Sequence, residues 1–381
     1  MQLMNNQEQS EILQKAKEFA KNELEPRTGE FDHEGVLPRE IIDKMAQNGF
    51  LGATIPKKWG GLEMNPLEYG QLTEIIGKAC ASTRTLLTVH TSLVSETLVK
   101  RGSDFHKKKY LPKLAKGELI GCFALSEEET GSDALGVKTT YKKEGDYFVL
   151  NGTKKWISFS GIADLFLVIA SDEGTVSAFL VERNTPGITT KPMSGLLGSR
   201  AAYISEIEFN NVEVPEENVV GKIGVGFSFV ANTALFYGRY SIAWAGVAIA
   251  QSALEEMVTY ARKREQFGRK IGTNQLVQRM IANAVTKVQA ARSLCIKAGQ
   301  LRVENSVDAV METNIAKYYS SVVANEVASD AVQVFGGNGC WNKYPVERLF
   351  REAKILEIIE GTSQMQELMI ANYGMKKFVK K

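Results

Sequence analysis

The strand-forming residues of this chain are concentrated in one central segment, from about Gly121 to about Gly221, and the sequence on either side of it has helical patterns. Short apolar runs at 165–170 and 178–181 are typical of buried strands. A further strand is expected around Ile207. The chain is therefore expected to fold as helices, then a small β domain, then helices again.

One dipeptide in the central segment carries a turn signal. Asn151-Gly152 separates two strand-like runs, residues 147–150 and 153–157. A type I′ turn needs positive φ at both central positions, and Asn-Gly adopts it readily. The sequence therefore predicts a β-hairpin centred on Asn151-Gly152.

The flanking segments follow the helical period. Ile12, Ala16 and Phe19 recur on one face of the first segment, which runs from residue 6 to about 120. The nearly continuous apolar run at 242–250 predicts a helix buried on most sides. Proline marks expected helix boundaries at Pro26, Pro38, Pro56 and Pro66. Further helices are expected at about 275–303, 307–335 and 346–372.

These patterns predict an α+β protein that is mainly α. The expected division is an N-terminal helical domain at 1–120, a central small β-barrel or sandwich domain at 121–222, and a C-terminal helical bundle at 223–381. No strand is followed by G-x-G-x-x-G, so the doubly wound dinucleotide-binding fold is not supported.

Charge and composition exclude several classes of function. The 46 basic and 44 acidic residues leave a net charge of +2, which argues against a nucleic-acid or membrane-surface protein. No apolar run reaches the roughly 18 residues of a membrane span, and residues 1–6 lack the features of a signal peptide. A cytoplasmic protein is therefore expected. The three histidines are not in a metal-binding spacing, so no metal site is predicted.

Four segments carry the functional signal, in a fixed order along the chain. They are LSEEETGSD at 125–133, KWIS at 155–158, REQFG at 264–268 with Gln275 seven residues further on, and QVFGGNG at 333–339 followed by EGTSQ at 360–364. Together they resemble the acyl-CoA dehydrogenase family. The resemblance implies a C-terminal four-helix bundle, one FAD per subunit, a homotetramer built as a dimer of dimers, and an electron-transfer flavoprotein as acceptor.

The resemblance also implies a reaction, the α,β-dehydrogenation of an acyl thioester. A carboxylate removes an α-hydrogen as a proton while flavin N5 accepts a β-hydrogen as hydride. Glu360 matches the family's base, and the two isoleucines before it are consistent with a desolvated pocket that would make it a stronger base. Some relatives carry the base on a bundle helix, but residues 236–239 offer no carboxylate.

The remaining site residues are carried over from the same resemblance. Leu125 and Ser126 are expected along the pyrimidine side of the flavin, Trp156 against its ring system, and Ser158 near N5. Arg264 is expected at the FAD pyrophosphate, where its guanidinium suits phosphate. Other FAD-contacting positions are matched by Phe267, Gln275, Gln333, Gly336, Gly337, Thr362 and Gln364. Several of these act on a neighbouring subunit's FAD in the family. Substrate contacts are expected at Ser132, Arg239 and Gly361.

Three departures from the family pattern fall near the expected acyl carrier. Glu128 replaces a usual proline, Phe236 a common acidic residue, and Ala202 with Ile204 replace small hydroxyl residues. The substrate is therefore either an acyl-CoA or an acyl group tethered to an acyl or peptidyl carrier protein. Two further alternatives are a flavin oxidase or monooxygenase on the same scaffold, which oxygen consumption would reveal, and an inactive carrier-binding scaffold, which would be colourless.

Overall fold

The computed structural model describes residues 6–379, and these begin with a helical region. Its helices are α1 Asn6–Phe19, α2 Thr28–Glu34, α3 Arg39–Gln47, α4 Pro66–Ala79, α5 Ala81–Leu86, α6 Glu96–Arg101 and α7 Asp104–Ala115. A π-helical segment, Leu87–Ser95, joins α5 to α6. The predicted apolar face of α1 is confirmed, because Ile12, Ala16 and Phe19 are all buried.

Strands follow this helical region. They are β1 Gly121–Ala124, β2 Thr140–Glu144, β3 Tyr147–Ile157, β4 Leu165–Asp172, β5 Thr175–Glu182, β6 Ile188–Pro192 and β7 Ser205–Pro215. β2, β3, β7 and β6 form an antiparallel set in that order. β4 pairs with β1 in parallel and with β5 antiparallel. The predicted buried strands at 165–170 and 178–181 are confirmed as parts of β4 and β5.

The predicted hairpin at Asn151-Gly152 is wrong. β3 runs through both residues, with a β-bulge between Leu150 and Gly152 where its pairing with β7 shifts register. The turn lies earlier, at Gly145-Asp146 between β2 and β3, and Gly145 has φ 61°. Gly152 is needed for close approach instead, because a Cβ atom there would lie 2.6 Å from the Cα of Thr139.

The chain then returns to helices: α8 Asn232–Lys263, α9 Gln275–Val303, α10 Ala309–Phe335, α11 Val346–Leu356 and α12 Ser363–Lys377. A small β8–β9 hairpin, Glu265–Gln266 with Arg269–Lys270, separates α8 from α9. The single helix predicted at 346–372 is wrong, because a turn divides it into α11 and α12. Left-handed backbone at Glu360 and Gly361, with φ 57° and 91°, is incompatible with a continuous helix.

Two long helices of this bundle run parallel to each other. Arg239 of α8 donates to Asn314 of α10 near one end, and Tyr260 stacks on Phe335, with ring centroids 3.9 Å apart, near the other. α9 runs antiparallel to α10, because Lys297 pairs with Glu312 and Lys287 with Glu326. α8 is buried over most of its length, as the run at 242–250 predicts.

Apolar packing joins the first helices to the strands. Residues such as Leu93, Val94 and Cys122 belong to one buried cluster, and the bundle helices form a second. The domain boundaries near residues 120 and 222 stay predictions. Within residues 6–379, no helix combines the length and the apolarity that a membrane crossing requires. Residues 1–5, on which the signal-peptide expectation largely depends, lie outside the described range.

Candidate active site

The turn between α11 and α12 places Glu360 beside the start of α8. Its backbone is held by side chains from three helices. Arg239 Nε donates to the Glu360 carbonyl at 3.0 Å, and Lys317 Nζ donates to the Gly361 carbonyl at 2.7 Å. Gln366 Nε2 donates to the Glu360 carbonyl at 3.2 Å. A non-glycine residue in left-handed backbone is strained, and these bonds fix it in that conformation.

The Glu360 carboxylate lies against backbone with no side chain. A Cβ atom on Gly238 would lie only 2.5 Å from Oε2, so only glycine fits there. Oε2 is buried and accepts no hydrogen bond from the described residues. Burial raises the pKa of Glu360 to about 7, although the charges of Arg239, Lys317 and Arg84 oppose the rise. A carboxylate with this environment is able to hold or release a proton near neutral pH.

The residues predicted to contact the flavin ring follow two strands. Leu125 and Ser126 come directly after β1, and Trp156 and Ser158 lie at the end of β3 and just beyond it. We call Leu125, Ser126, Trp156 and Ser158 the inner set. Lys155 N donates to the Ser126 carbonyl at 2.9 Å, which fixes the loop after β1 to β3. Trp156 has left-handed backbone, with φ 65°, and its side chain is 53% exposed. The Trp156 ring is therefore open to solvent, at the residue after the one that is bonded to this loop.

A buried ion pair that sequence reasoning missed holds the inner set. Lys154 Nζ lies 2.7 Å from Glu127 Oε1 and also donates to the Leu125 carbonyl at 3.0 Å. Thr139 adds hydrogen bonds from its hydroxyl and its backbone nitrogen. Burial alone would raise the pKa of Glu127, but Lys154 and these bonds lower it to about 2. One signal was available, since Glu127 and Lys154 lie within or beside two of the motifs.

The other predicted FAD contacts lie on the surface of the bundle. We call them the outer set: Arg264, Phe267, Gln275, Gln333, Gly336 and Gly337, all of which are exposed. Phe267 is 99% exposed, with φ 51°, at the tip of the β8–β9 hairpin. Arg264, Gly336 and Gly337 line an open cavity of about 380 Å³.

The structure does not bring the outer set to the base of the same chain. Arg239 contacts the Glu360 turn near the start of α8, and Arg264 directly follows its end. At 1.5 Å per residue, the two positions are about 37 Å apart along the helix axis. Arg264 and Glu360 therefore lie in different parts of one protomer.

The remaining predicted residues lie in loops or at a helix start. Thr362 caps α12, its hydroxyl accepting from the Met365 backbone nitrogen at 3.3 Å. Gln364 is exposed in the first turn of α12, and Ser132 is exposed in the loop after β1. Thr362 thus follows the base turn directly, while the described contacts do not link Ser132 to it.

The described residues suit a flavin dinucleotide. The inner set offers an open aromatic ring beside the hydroxyl-bearing loop at Ser126, as a flat heteroaromatic ring requires. The outer set offers an arginine beside open glycine backbone. A Cβ atom on Gly336 or Gly337 would meet no atom within 4 Å, which leaves room for a phosphate to approach.

Comparison with known proteins identifies the family to which the chain belongs. Profiles described as the N-terminal, middle and C-terminal domains of acyl-CoA dehydrogenase match residues 6–118, 122–212 and 224–374. Fold and site together define a flavin-dependent oxidoreductase that acts on CH–CH donors. The chain belongs to the acyl-CoA dehydrogenase family, and its cofactor is FAD.

Similar proteins cover nearly the whole chain. The short-chain specific acyl-CoA dehydrogenase of Clostridium acetobutylicum is 37% identical over 369 residues, 96% of this chain and 97% of that protein. The butyryl-CoA dehydrogenase structure of Megasphaera elsdenii has a TM-score of 0.94 at 33% identity, covering 98% of this chain and 100% of that one.

Other relatives differ in the ligand or partner that their names give. A Mycobacterium smegmatis glutaryl-CoA dehydrogenase in complex with FADH2 has a TM-score of 0.92 at 27% identity, covering 99% and 97% of the two chains. The prolyl acyl carrier protein oxidase AnaB has a TM-score of 0.91 at 28% identity, covering 97% and 99%. The CarC subunit of the caffeyl-CoA reductase–Etf complex of Acetobacterium woodii is 36% identical over 377 residues, 97% and 99% of the two chains.

Proposed function

We propose that this protein dehydrogenates an acyl thioester between its α and β carbons, with Glu360 as the base that removes the α-proton. The observation that supports this is the state of the Glu360 carboxylate. One of its oxygens is buried without a hydrogen bond, and its pKa is raised to about 7. A structural carboxylate would have its oxygens paired, whereas a base needs an oxygen free to accept a proton.

The residues around the base have separate tasks in this reaction. Arg239 and Lys317 bind the backbone carbonyls of the turn rather than the carboxylate, so they hold the base in place and leave its oxygens available. Gly238 lets the carboxylate lie against α8. When bound, FAD supplies the acceptor for the β-hydride. Ser126 and Ser158 would orient its ring, and Trp156 would shield that ring from water.

We further propose that the outer set serves the FAD of a neighbouring subunit. The distance of about 37 Å along α8 from Arg239 to Arg264 supports this assignment, because Arg239 contacts the turn that carries Glu360. Assembly into a dimer, and into a homotetramer of two such dimers, would then complete each cofactor site. An electron-transfer flavoprotein is the proposed acceptor, in line with the Etf complex to which the A. woodii relative belongs.

Replacing the base tests the proposal directly. Glu360→Gln is nearly isosteric but removes the proton-accepting oxygen, so we expect the rate of anaerobic flavin reduction by substrate to fall by a factor of roughly 10³ or more. The protein should stay folded and yellow. Glu367→Gln is the control, because that exposed carboxylate on α12 accepts a hydrogen bond from Tyr318 and takes no part in the site.

The size of the loss decides the outcome. If Glu360→Gln keeps more than about a tenth of the wild-type rate, a change of only ~1.4 kcal/mol, then Glu360 is not the base. Oxygen consumption during turnover would indicate the oxidase instead.

A carrier protein is the second candidate for the group that bears the acyl chain. Phe236, at a position where an acidic residue is common, is packed against Arg302, whose guanidinium lies 4.1 Å from its ring. Its side chain therefore offers no polar contact to the CoA arm, and AnaB is a relative that acts on a carrier protein.

The same acyl group should be presented on CoA and on a phosphopantetheinylated carrier domain. A tenfold preference for CoA would exclude the carrier, and the reverse preference, weakened by salt, would establish it.

A further inference from the structure

An arginine at the end of α9 lies buried against the start of α8. Arg302 is 9% exposed, and its Nη1 donates to the Phe236 carbonyl of α8 at 3.2 Å. Its buried Nε has no hydrogen-bond partner among the described residues, and none of the described ion pairs includes Arg302. A buried guanidinium is normally paired with a carboxylate, so other groups must hold this one.

Three aromatic rings of α8 take the place of a carboxylate. The guanidinium carbon of Arg302 lies 4.1 Å from the ring centroid of Phe236, 4.7 Å from that of Tyr237 and 4.6 Å from that of Tyr240. The face of an aromatic ring attracts a cation, and the attraction is stronger where water is excluded. Arg302 is therefore bound to α8 through three rings and one backbone carbonyl.

These rings enclose, along the chain, the two α8 residues that contact the base turn. The Glu360 carboxylate lies against Gly238, and Arg239 Nε donates to the Glu360 carbonyl at 3.0 Å. Gly238 and Arg239 stand between Tyr237 and Tyr240 in the sequence. A shift of this stretch of α8 would therefore move both contacts of the base.

Close packing fixes the same stretch of α8 from the side of α9. A Cβ atom on Gly299, about one turn before Arg302, would lie only 2.4 Å from the Tyr240 hydroxyl. That hydroxyl donates to the Pro66 carbonyl at the start of α4, at 2.9 Å. Tyr240 is thus held between α4 and α9, and Arg302 holds the turn of α8 that precedes it.

A rival role for Arg302 is to balance the charge of Glu96 in α6. Burial raises the pKa of Glu96 to about 7, and the charge of Arg302 opposes this rise. Charge balance requires only a cation. The ring contacts and the bond to the Phe236 carbonyl require a planar guanidinium, which a lysine ammonium does not reproduce. The two roles therefore predict different behaviour of Arg302→Lys.

We infer that Arg302 is a positioning residue for the proposed dehydrogenation, because it holds the start of α8 where Gly238 and Arg239 receive the base turn. The inference rests on the proposed function, since it takes Glu360 as the base. Arg302 acts through α8, because its described contacts are with the three rings and the Phe236 carbonyl.

The rate of anaerobic flavin reduction tests this role. Arg302→Met removes the guanidinium, so the limiting rate should fall about tenfold or more, because small displacements of a catalytic group are costly. The substrate concentration at half the limiting rate should change much less. Arg302→Lys keeps the charge and should show a similar loss. A wild-type rate in Arg302→Lys would show that charge balance with Glu96 is sufficient, and it would overturn the inference.

Another arginine of α9 provides the control. Arg292 is paired with Glu74 at 2.6 Å and lies about 15 Å from Arg302 along the helix. Arg292→Met should lower the melting temperature of the FAD-bound protein and leave the limiting rate as in the wild type. A loss of rate in Arg302→Met that is matched by Arg292→Met would reflect general destabilisation and would overturn the inference.

The ionisation of Glu360 gives a second measurement, which does not depend on turnover. Infrared spectroscopy detects the carbonyl stretch of a protonated carboxyl group, and the band of Glu360 is the one that disappears in Glu360→Gln. In the wild type this band should titrate near pH 7. In Arg302→Met the loosened start of α8 would admit water to the carboxylate, so the midpoint should fall by about one pH unit or more.

The direction of this shift separates movement from charge. The charges that act on Glu360, those of Arg239, Lys317 and Arg84, are present in both proteins. Loss of the positive charge of Arg302 would by itself raise the midpoint, whereas hydration of the carboxylate lowers it. A raised midpoint would therefore contradict the positioning role.

The two measurements also separate this inference from the assignment of the base. If Glu360→Gln stays active, the base is misassigned, while the infrared titration still decides whether Arg302 positions the Glu360 carboxylate. If Arg302→Met does not fold, Phe236→Leu takes its place, because it removes the nearest ring and keeps the arginine. A wild-type rate and a wild-type midpoint in whichever of the two variants folds would overturn the inference.

Discussion

The two parts of the proposed FAD site, the inner set and the outer set, differ in how the protein holds them. The inner set is fixed within one protomer by the buried Glu127–Lys154 pair and by backbone hydrogen bonds from β3. The outer set is exposed, and Phe267 stands almost entirely in solvent. The residues proposed to place the reacting ring are held by contacts within one chain. The residues proposed to hold the remote part of the cofactor lie at a surface, where another subunit would complete the site.

The largest expected effect comes from loosening the inner set. Lys154→Met leaves the Glu127 carboxylate buried without its cation, which typically costs about 3–5 kcal/mol of unfolding free energy. Urea unfolding followed by circular dichroism measures this loss, and flavin content after gel filtration shows whether cofactor is lost with it. Lys143→Met is the control, because that exposed lysine of β2 pairs with the exposed Glu216.

Removing both members of the pair sharpens this test. Lys154→Met/Glu127→Leu leaves no unpaired buried charge, so it should recover part of the lost stability. An unfolding free energy that is unchanged in Lys154→Met would show that the pair does not hold the inner set.

A substitution in the outer set is expected to have a smaller effect, on FAD affinity and oligomer stability and not on the folding of the protomer. Arg264→Ala removes an exposed guanidinium, so the unfolding free energy of the protomer should change by no more than about 0.5 kcal/mol. FAD affinity should fall by about 1.5–3 kcal/mol, because a charged hydrogen bond to phosphate is lost. Oligomer stability should fall with it. Equilibrium dialysis and sedimentation velocity measure the two losses. A monomer that retains FAD tightly would contradict the proposal that the outer set serves the FAD of a neighbouring subunit.

The smallest expected effect is a pH dependence of stability. The pKa of Glu360 is raised to about 7 in the folded chain, against about 4.3 in an unfolded one. The native state therefore holds an extra proton between these values, and this contribution to stability is lost as pH rises from about 4.3 to 7. Glu127 behaves oppositely, since its pKa is lowered to about 2 and its contribution is lost as pH falls from about 4.3 toward 2.

Glu360→Gln lacks this titration, so its stability relative to wild type should be higher at pH 8 than at pH 5. A difference on the order of 1 kcal/mol or more is expected, because burial shifts the pKa of Glu360 by more than one unit and one unit corresponds to about 1.4 kcal/mol. Urea unfolding at both pH values measures it, and an equal difference at pH 5 and pH 8 would show that Glu360 is not held in a desolvating pocket.

Periodicity predicted the buried faces but not where the chain turns. The apolar faces of α1 and α8 follow from spacing, because burial there depends only on which side of a regular element is apolar. Asn151-Gly152 shows the limit. Gly152 does adopt a positive φ, but the fold uses this glycine for the close approach to Thr139. The turn is made by Gly145-Asp146 instead. A local signal cannot distinguish these uses, because both need the same backbone freedom.

Motifs in the sequence were enough to propose the site residues, but they could not predict the packing contacts around those residues. The inner and outer sets were named from motif positions. The unpaired oxygen of Glu360 depends on contacts among distant segments, such as Gly238 with the α11–α12 turn. The same limit explains the wrong helix at 346–372, because the pattern of α11 and α12 is continuous while tertiary bonds from Arg239 and Lys317 hold the turn open.

The left-handed backbone at Glu360 lowers the stability of the fold at the residue that is proposed to carry the activity. Glycine adopts this conformation freely, whereas other residues lose about 1 kcal/mol or more in it. A carboxylate at this position adds the cost of desolvation. Any selection for heat resistance alone would therefore favour replacing Glu360 with glycine. Thermostability screens of this enzyme should include turnover as a criterion from the first round, since the residue they would discard earliest is the proposed base.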